Sequence, residues 1–167
     1  LYFPAEYAVT IWEGILQTGQ ADGVLPIGLA ARDSLRFEPC MPLYGHELSP
    51  TISPVEARLT FAVSFDKPFI GRDALLKQKL EKPARVSVGI ELLERGVMRE
   101  TYPVYGNGRE VGVVTSGMFS PTTGRYLGMA LVATEFSAIG TELDVLVRDK
   151  TKKAKVVKRP FYTPAYR

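Results

Sequence analysis

Early in the chain, apolar positions recur at intervals of three and four, where Tyr7, Ala8, Ile11, Trp12, Ile15 and Leu16 follow Pro4. That stripe predicts an amphipathic helix, entered through a proline whose missing amide costs nothing in a first turn. Gly19 and Gly23 end it. A turn through Leu25 and Pro26 leads into a second helix, GLAARDSLRFE, from Gly28 to Glu38. Pro39 stops that one, because proline supplies no amide and disfavours helical geometry in the residue before it. Ser53-Pro54 opens a new unit, in which Leu59, Phe61, Val63 and Phe65 alternate with Arg58, Thr60, Ala62 and Ser64, the period of a half-buried strand. Phe69 to Lys79 then predicts a short helix with Ile70, Ala74 and Leu75 turned inward.

From about Arg85 the texture changes to short strand-like runs punctuated by Gly and Pro, as in a small antiparallel barrel or sandwich. The runs are Val86 to Leu92, Pro103 to Tyr105, Val111 to Ser116, Leu127 to Val132, Glu142 to Arg148 and Lys153 to Lys158. Asn107-Gly108 predicts a hairpin, since both central positions of such a turn favour left-handed backbone. Asp149-Lys150-Thr151 is expected to turn the last hairpin. The fold class expected is α+β, with an α+β portion over residues 1–80, a charged link at Glu81-Lys82-Pro83, and an all-β portion over residues 84–167.

Composition narrows this picture more than it extends it. The chain has 167 residues, of which 46% are hydrophobic, enough for a packed core. Twenty-one basic against 18 acidic residues leave a charge of +3, a weak bias toward acidic partners that does not by itself imply nucleic acid. The single cysteine, Cys40, excludes an intrachain disulfide, and with a single histidine there is no Cys/His zinc cluster. A reducing compartment is expected, the cytoplasm of a bacterium being favoured over the mitochondrial matrix of a eukaryote. No apolar run reaches the roughly 20 residues of a membrane-spanning helix, and Leu1 to Tyr7 lacks the basic start of a signal peptide. Because the chain opens on Leu-Tyr-Phe-Pro without methionine, it reads as a piece of something longer.

Candidate chemistry concentrates between Gly28 and Leu48. Arg32 and Arg36 stand one helical turn apart, and like charges at that spacing cost an isolated helix a few tenths of a kcal/mol, so an anion is expected opposite them. It is either a ligand or one of the chain's own acids, such as Asp33 or Glu38. His46 has no serine or cysteine nucleophile in an elbow beside it, and a turn or surface role is favoured over catalysis. Cys40, between two prolines, reads as a small buried residue and not as a reactive thiol. The glycines of Tyr105 to Gly112 fall in a hairpin, which excludes a phosphate loop.

Later motifs read more blandly. Arg148 to Arg159 holds seven Lys or Arg and one acid, the pattern either of a surface that draws an acidic protein or, more commonly, of a solvated hairpin guarding a sheet edge. The hydroxyls from Thr115 to Ser120 are expected in a tight turn between strands. The tail from Arg159 to Arg167 is aromatic and stiffened by proline, which predicts that it packs against something.

Four segments taken together carry a resemblance: GLAARDSLRFEPCMPLYGHEL, SPVEARLTFAVSFDKPFIGRDAL, GVMRETYPVYGNGREVGVVTSGMFSPTTGRYLGMALV and AKVVKRPFY. In this order they resemble the C-terminal half of the glycine cleavage system T-protein family, the aminomethyltransferases. The resemblance implies the end of a ferredoxin-like middle domain followed by a jelly-roll-like barrel. It also implies a reaction in which an aminomethyl group on the lipoyl arm of the H-protein meets tetrahydrofolate, releasing ammonia and forming methylenetetrahydrofolate. Catalysis of that kind rests chiefly on orientation. Arg32, at the arginine of the family's GLGARD motif, is the folate contact so implied, and Tyr166 is a second at the C-terminal end. The catalytic aspartate of the family belongs to the part that would precede Leu1, so this piece alone is expected to be inactive. Its implied partners are tetrahydrofolate, the lipoylated H-protein and the missing N-terminal half, with no metal.

The sequence departs from the family at Ala30 for the second glycine, at Pro39-Cys40 for the common Ala-Gly pair, and at Phe61 for a frequent tryptophan. None of these removes a polar functional group. A folate-dependent demethylase shares the architecture, but the intact RDSLRFE and MPLYGHE favour the T-protein. A folate-binding scaffold of the iron–sulfur-assembly type would carry a KGCYxGQE motif, which is absent.

Overall fold

Among the described residues, six antiparallel strands occupy the second half of the chain: β1 (Arg85–Leu92), β2 (Pro103–Gly106), β3 (Arg109–Phe119), β4 (Tyr126–Ala133), β5 (Glu142–Val147) and β6 (Lys150–Val157). They close into a barrel in the order β1-β4-β3-β2-β5-β6, so that β6 returns to pair with β1. Together with the helices before it, this is the expected α+β fold with a C-terminal barrel. The computed structural model describes residues 1–163 and residue 165. It divides into two compact units, Leu1–Asp33 and Ser34–Arg167.

The first unit holds helix α1 (Ala8–Thr18) and the opening of α2 (Leu29–Phe37). Gly19 caps α1 as the glycine signal predicts, and Gly23, at φ +73°, closes the 3-10 turn that follows. No residue of α1 is buried, and its stripe presents Trp12 at 53% exposure.

In the second unit the barrel interior is filled by Val86, Val88, Ile90, Val104, Val114, Val132, Val145 and Val156, the inward-facing set that alternation along the strands supplies. β5 alternates most plainly, with Leu143, Val145 and Val147 buried between more exposed neighbours. β4 is buried almost end to end, because its outer face is covered as well. There Leu127 and Met129 meet Phe37 from the end of α2, with Cys40, Met118 and Phe161 packed around them. The Phe37 and Phe161 rings lie 5.3 Å apart, so the part of the tail that is described packs as predicted.

Asn107 and Gly108 both adopt positive φ in the β2–β3 hairpin. The last hairpin, however, turns at Arg148-Asp149: Val147 pairs with Lys150, and Lys150 and Thr151 already belong to β6. Residues 59–65 form no strand. Leu59 caps a 3-10 turn at Thr60–Ala62, and Phe61 is 86% exposed. A strand needs a ladder partner, and a closed barrel presents no free edge to this segment. Helix α3 (Arg72–Glu81) begins after Gly71, whose φ of +87° breaks the chain direction. Ile70 is therefore outside it and fully exposed, Ala74 is exposed too, and Leu75 and Leu76 are the half-buried pair.

Candidate functional site

Helix α2 separates the two arginines by environment. Arg32 is exposed, and among the described residues its guanidinium makes no hydrogen bond or ion pair. Arg36 is largely buried: its Nη1 donates to Glu47 Oε2 at 3.0 Å and its Nη2 donates to Ser116 Oγ at 3.1 Å. Arg36 thus takes an internal acid, which proves to be Glu47 and not Asp33 or Glu38. Arg32 retains five unused donors in a planar fork, the geometry that grips a carboxylate or a polar ring edge.

Pro39 ends α2, and the chain reverses through Cys40 at φ +59°, where Met41 N–H reaches back to the Arg36 carbonyl at 2.8 Å. That left-handed backbone is one that glycine adopts at lower cost than cysteine. The Cys40 thiol is pushed up to about 11 by burial, with the backbone at Phe161 and the charge of Arg159 opposing that shift. It is a packing residue, as expected.

Glu38, beside it, is 5% exposed. Its Oε1 accepts from Ser120 Oγ at 2.5 Å and Thr122 N–H at 2.9 Å, and its Oε2 accepts from Thr122 Oγ1 at 2.7 Å. Burial pushes its carboxyl up, but the bonds from Ser120 and Thr122 together outweigh that and hold it below its ordinary value. The Glu38 carbonyl also accepts from Phe161 N–H and Tyr162 N–H, each at 3.0 Å. One residue therefore fastens the end of α2 to the β3–β4 turn and to the tail.

The PLYGHE turn is fixed the same way. Glu47 Oε2 accepts from Leu43 N–H at 3.0 Å as well as from Arg36, leaving Oε1 buried without a partner among the described residues. His46 Nδ1 lies 3.1 Å from the Thr115 carbonyl and 3.3 Å from Glu100 Oε2. Thr115 is the extra residue of a bulge between Val114 and Ser116 in β3, which aims its carbonyl out of the ladder. His46 thus has a carbonyl and a carboxylate beside it.

The hydroxyls expected in one loop are divided. Thr115 and Ser116 belong to β3, while Ser120 heads the turn and orders it, accepting from Thr123 N–H at 3.2 Å. Tyr166 lies outside the described residues. Glu38 and Glu47 are the residues that sequence reasoning passed over as structural anchors. Neither spacing nor charge distinguishes them, because their partners lie far along the chain or on the turn itself. Among the described residues no group of three or more His, Cys, Asp or Glu is placed to hold a metal ion. The second unit's part of this segment is a clamped frame of positioning contacts.

Residues 85–163 match the family model described as the glycine cleavage T-protein C-terminal barrel domain, and residues 1–67 match the GCVT N-terminal domain. Among curated relatives, an aminomethyltransferase of Desulforamulus reducens is 48% identical over 163 residues, covering 97% of this chain and 45% of the relative. One from Geobacillus thermodenitrificans is 53% identical over 167 residues, covering 99% and 46%. The crystal structure of the glycine cleavage system aminomethyltransferase T from Bartonella henselae superimposes with a TM-score of 0.84 at 33% identity, over 96% of this chain and 45% of that one. The chain spans a little under half the length of these relatives.

Proposed function

Since the chain belongs to the glycine cleavage T-protein family, we propose that it supplies the barrel-bearing half of a tetrahydrofolate-dependent aminomethyltransferase. In that reading, residues 1–80 complete a middle domain and residues 84–167 form the C-terminal one. The whole enzyme moves the one-carbon unit of an aminomethyl-lipoyl H-protein onto tetrahydrofolate, with ammonia as the other product, and works in the cytoplasm.

The observation that carries this reading is the divided pair on α2. Arg36 is consumed by Glu47 and Ser116, whereas Arg32 is exposed and unpaired among the described residues. A structural role accounts for the first and leaves the second without one. Arg32 holds the folate through charge-assisted donors, and Tyr166 provides a second contact. No residue of this chain is assigned a chemical step; its contribution is to bind and orient, which is where a reaction between two bound groups gains most of its rate.

Arg32→Ala, in a full-length protein carrying this sequence, tests the assignment. Tetrahydrofolate affinity measured by calorimetry falls about tenfold, the value of one charge-assisted contact at an exposed site, while the melting temperature stays put. An unchanged affinity removes Arg32 from the site.

A further inference from the structure

The folate reading leaves one cationic feature of the barrel unused. A cavity of about 590 Å³ opens beside the β5–β6 hairpin, walled by Arg95, Arg99 and Tyr102 from the β1–β2 connection and by Arg148, Lys150 and Lys152. Asp149 is the one acid on its lining. The basic run of this hairpin does not behave as one solvated face. Lys153 pairs with Asp144 at 2.8 Å, Lys155 with Glu91 at 3.5 Å, and Lys152 with Glu94 at 3.1 Å. Arg148 and Lys150, with Arg95 and Arg99 across the cavity, are exposed and make no side-chain hydrogen bond or ion pair among the described residues.

Two ordinary explanations fall short here. Edge protection reaches only Lys150 and Lys152, on the part of β6 that β1 leaves unpaired, since β1 pairs with Ala154 to Val157; Arg95, Arg99 and Arg148 lie outside the strands. Charges that serve only solubility have no reason to converge on a concavity, where they repel one another. Arg148 moreover sits at φ +57°, a backbone position that glycine or asparagine fills at lower cost. Four unpaired cations around a concave site of small-molecule size are what a compact anion requires, and three of them are guanidiniums suited to bidentate oxyanion contacts.

We propose that this cavity binds a small, multiply charged oxyanion of the pyrophosphate or phosphate-ester class. Pyrophosphate titrated calorimetrically into the 167-residue chain at fixed ionic strength saturates one site. Arg95→Gln combined with Arg148→Gln weakens that binding about tenfold. The control pair Lys153→Gln and Lys158→Gln removes the same charge from exposed residues that do not line the cavity and leaves the affinity within about twofold, a small effect because salt screens solvent-exposed charges that do not touch the anion. Amide chemical-shift changes fall on residues 95–102 and 147–152. The proposal is overturned by absence of saturation, by equal weakening in both double variants, or by binding of a hexaglutamate peptide where pyrophosphate does not bind, which would make the cavity a dock for an acidic protein surface.

Discussion

Glu38 combines near-complete burial with a carboxyl held below its ordinary value of 4.5. The folded state therefore prefers it ionised, so its contribution to stability is fully present above the unfolded value and is lost as pH falls through the folded one. Glu56 shares the direction, burial raising it but the Ser53 backbone and Arg85 prevailing, and so does Glu91, lowered chiefly by Arg125. The urea midpoint of the chain is accordingly flat between pH 7 and pH 5 with respect to these groups and falls below about 4.5. Glu38→Gln destabilises the barrel at pH 7 by about 2 kcal/mol and flattens the acid limb, since three donors from the β3–β4 turn lose an ionised acceptor. Cys40 gives a second check: with its thiol at about 11, iodoacetamide at neutral pH labels it only after unfolding. At this scale the sequence was legible for Cys40 and silent for Glu38, whose hydrogen-bond partners stand 82 and 84 residues downstream. Arg36 sits between these cases. Its need for an acid follows from spacing, but the choice of Glu47 depends on the turn after Pro39.

At the scale of elements, the strands were legible to within a few residues because barrel alternation and Gly/Pro punctuation both report them. β3 runs longer than expected, to Phe119, since its bulge at Thr115 carries the ladder past a pair of hydroxyls that otherwise read as a loop. The alternation at 59–65 misled for the opposite reason: the pattern was present and the pairing partner was not. Close contact between β3 and β4 provides a quantitative test. A Cβ on Gly112 would collide with the Leu131 carbonyl and come within 2.7 Å of Val132 Cα, whereas one on Gly14 in α1 meets nothing. Gly112→Ala should cost ~3 kcal/mol, because backbone on the facing strand cannot swing aside. Gly14→Ala should raise stability by up to about 1 kcal/mol through helix propensity alone. Paired denaturation curves of the two variants measure both.

Considered whole, the molecule is a barrel-bearing unit with a helical unit before it, and its relatives are about twice as long. The fold class was readable from periodicity and the family from four motifs. The candidate site was readable only in part: the proposal for Arg32 comes from likeness, and the structure adds that its exposed guanidinium makes no hydrogen bond or ion pair among the described residues. The central claim is that these residues form one half of a folate-dependent aminomethyltransferase, binding and orienting without performing the chemistry. Methylenetetrahydrofolate formation from aminomethyl-lipoyl H-protein and tetrahydrofolate measures this most directly. The account predicts no product with the 167-residue chain alone and turnover once the same sequence is joined to the N-terminal half of a related aminomethyltransferase. Product from the chain by itself, or none from the joined protein, would contradict it.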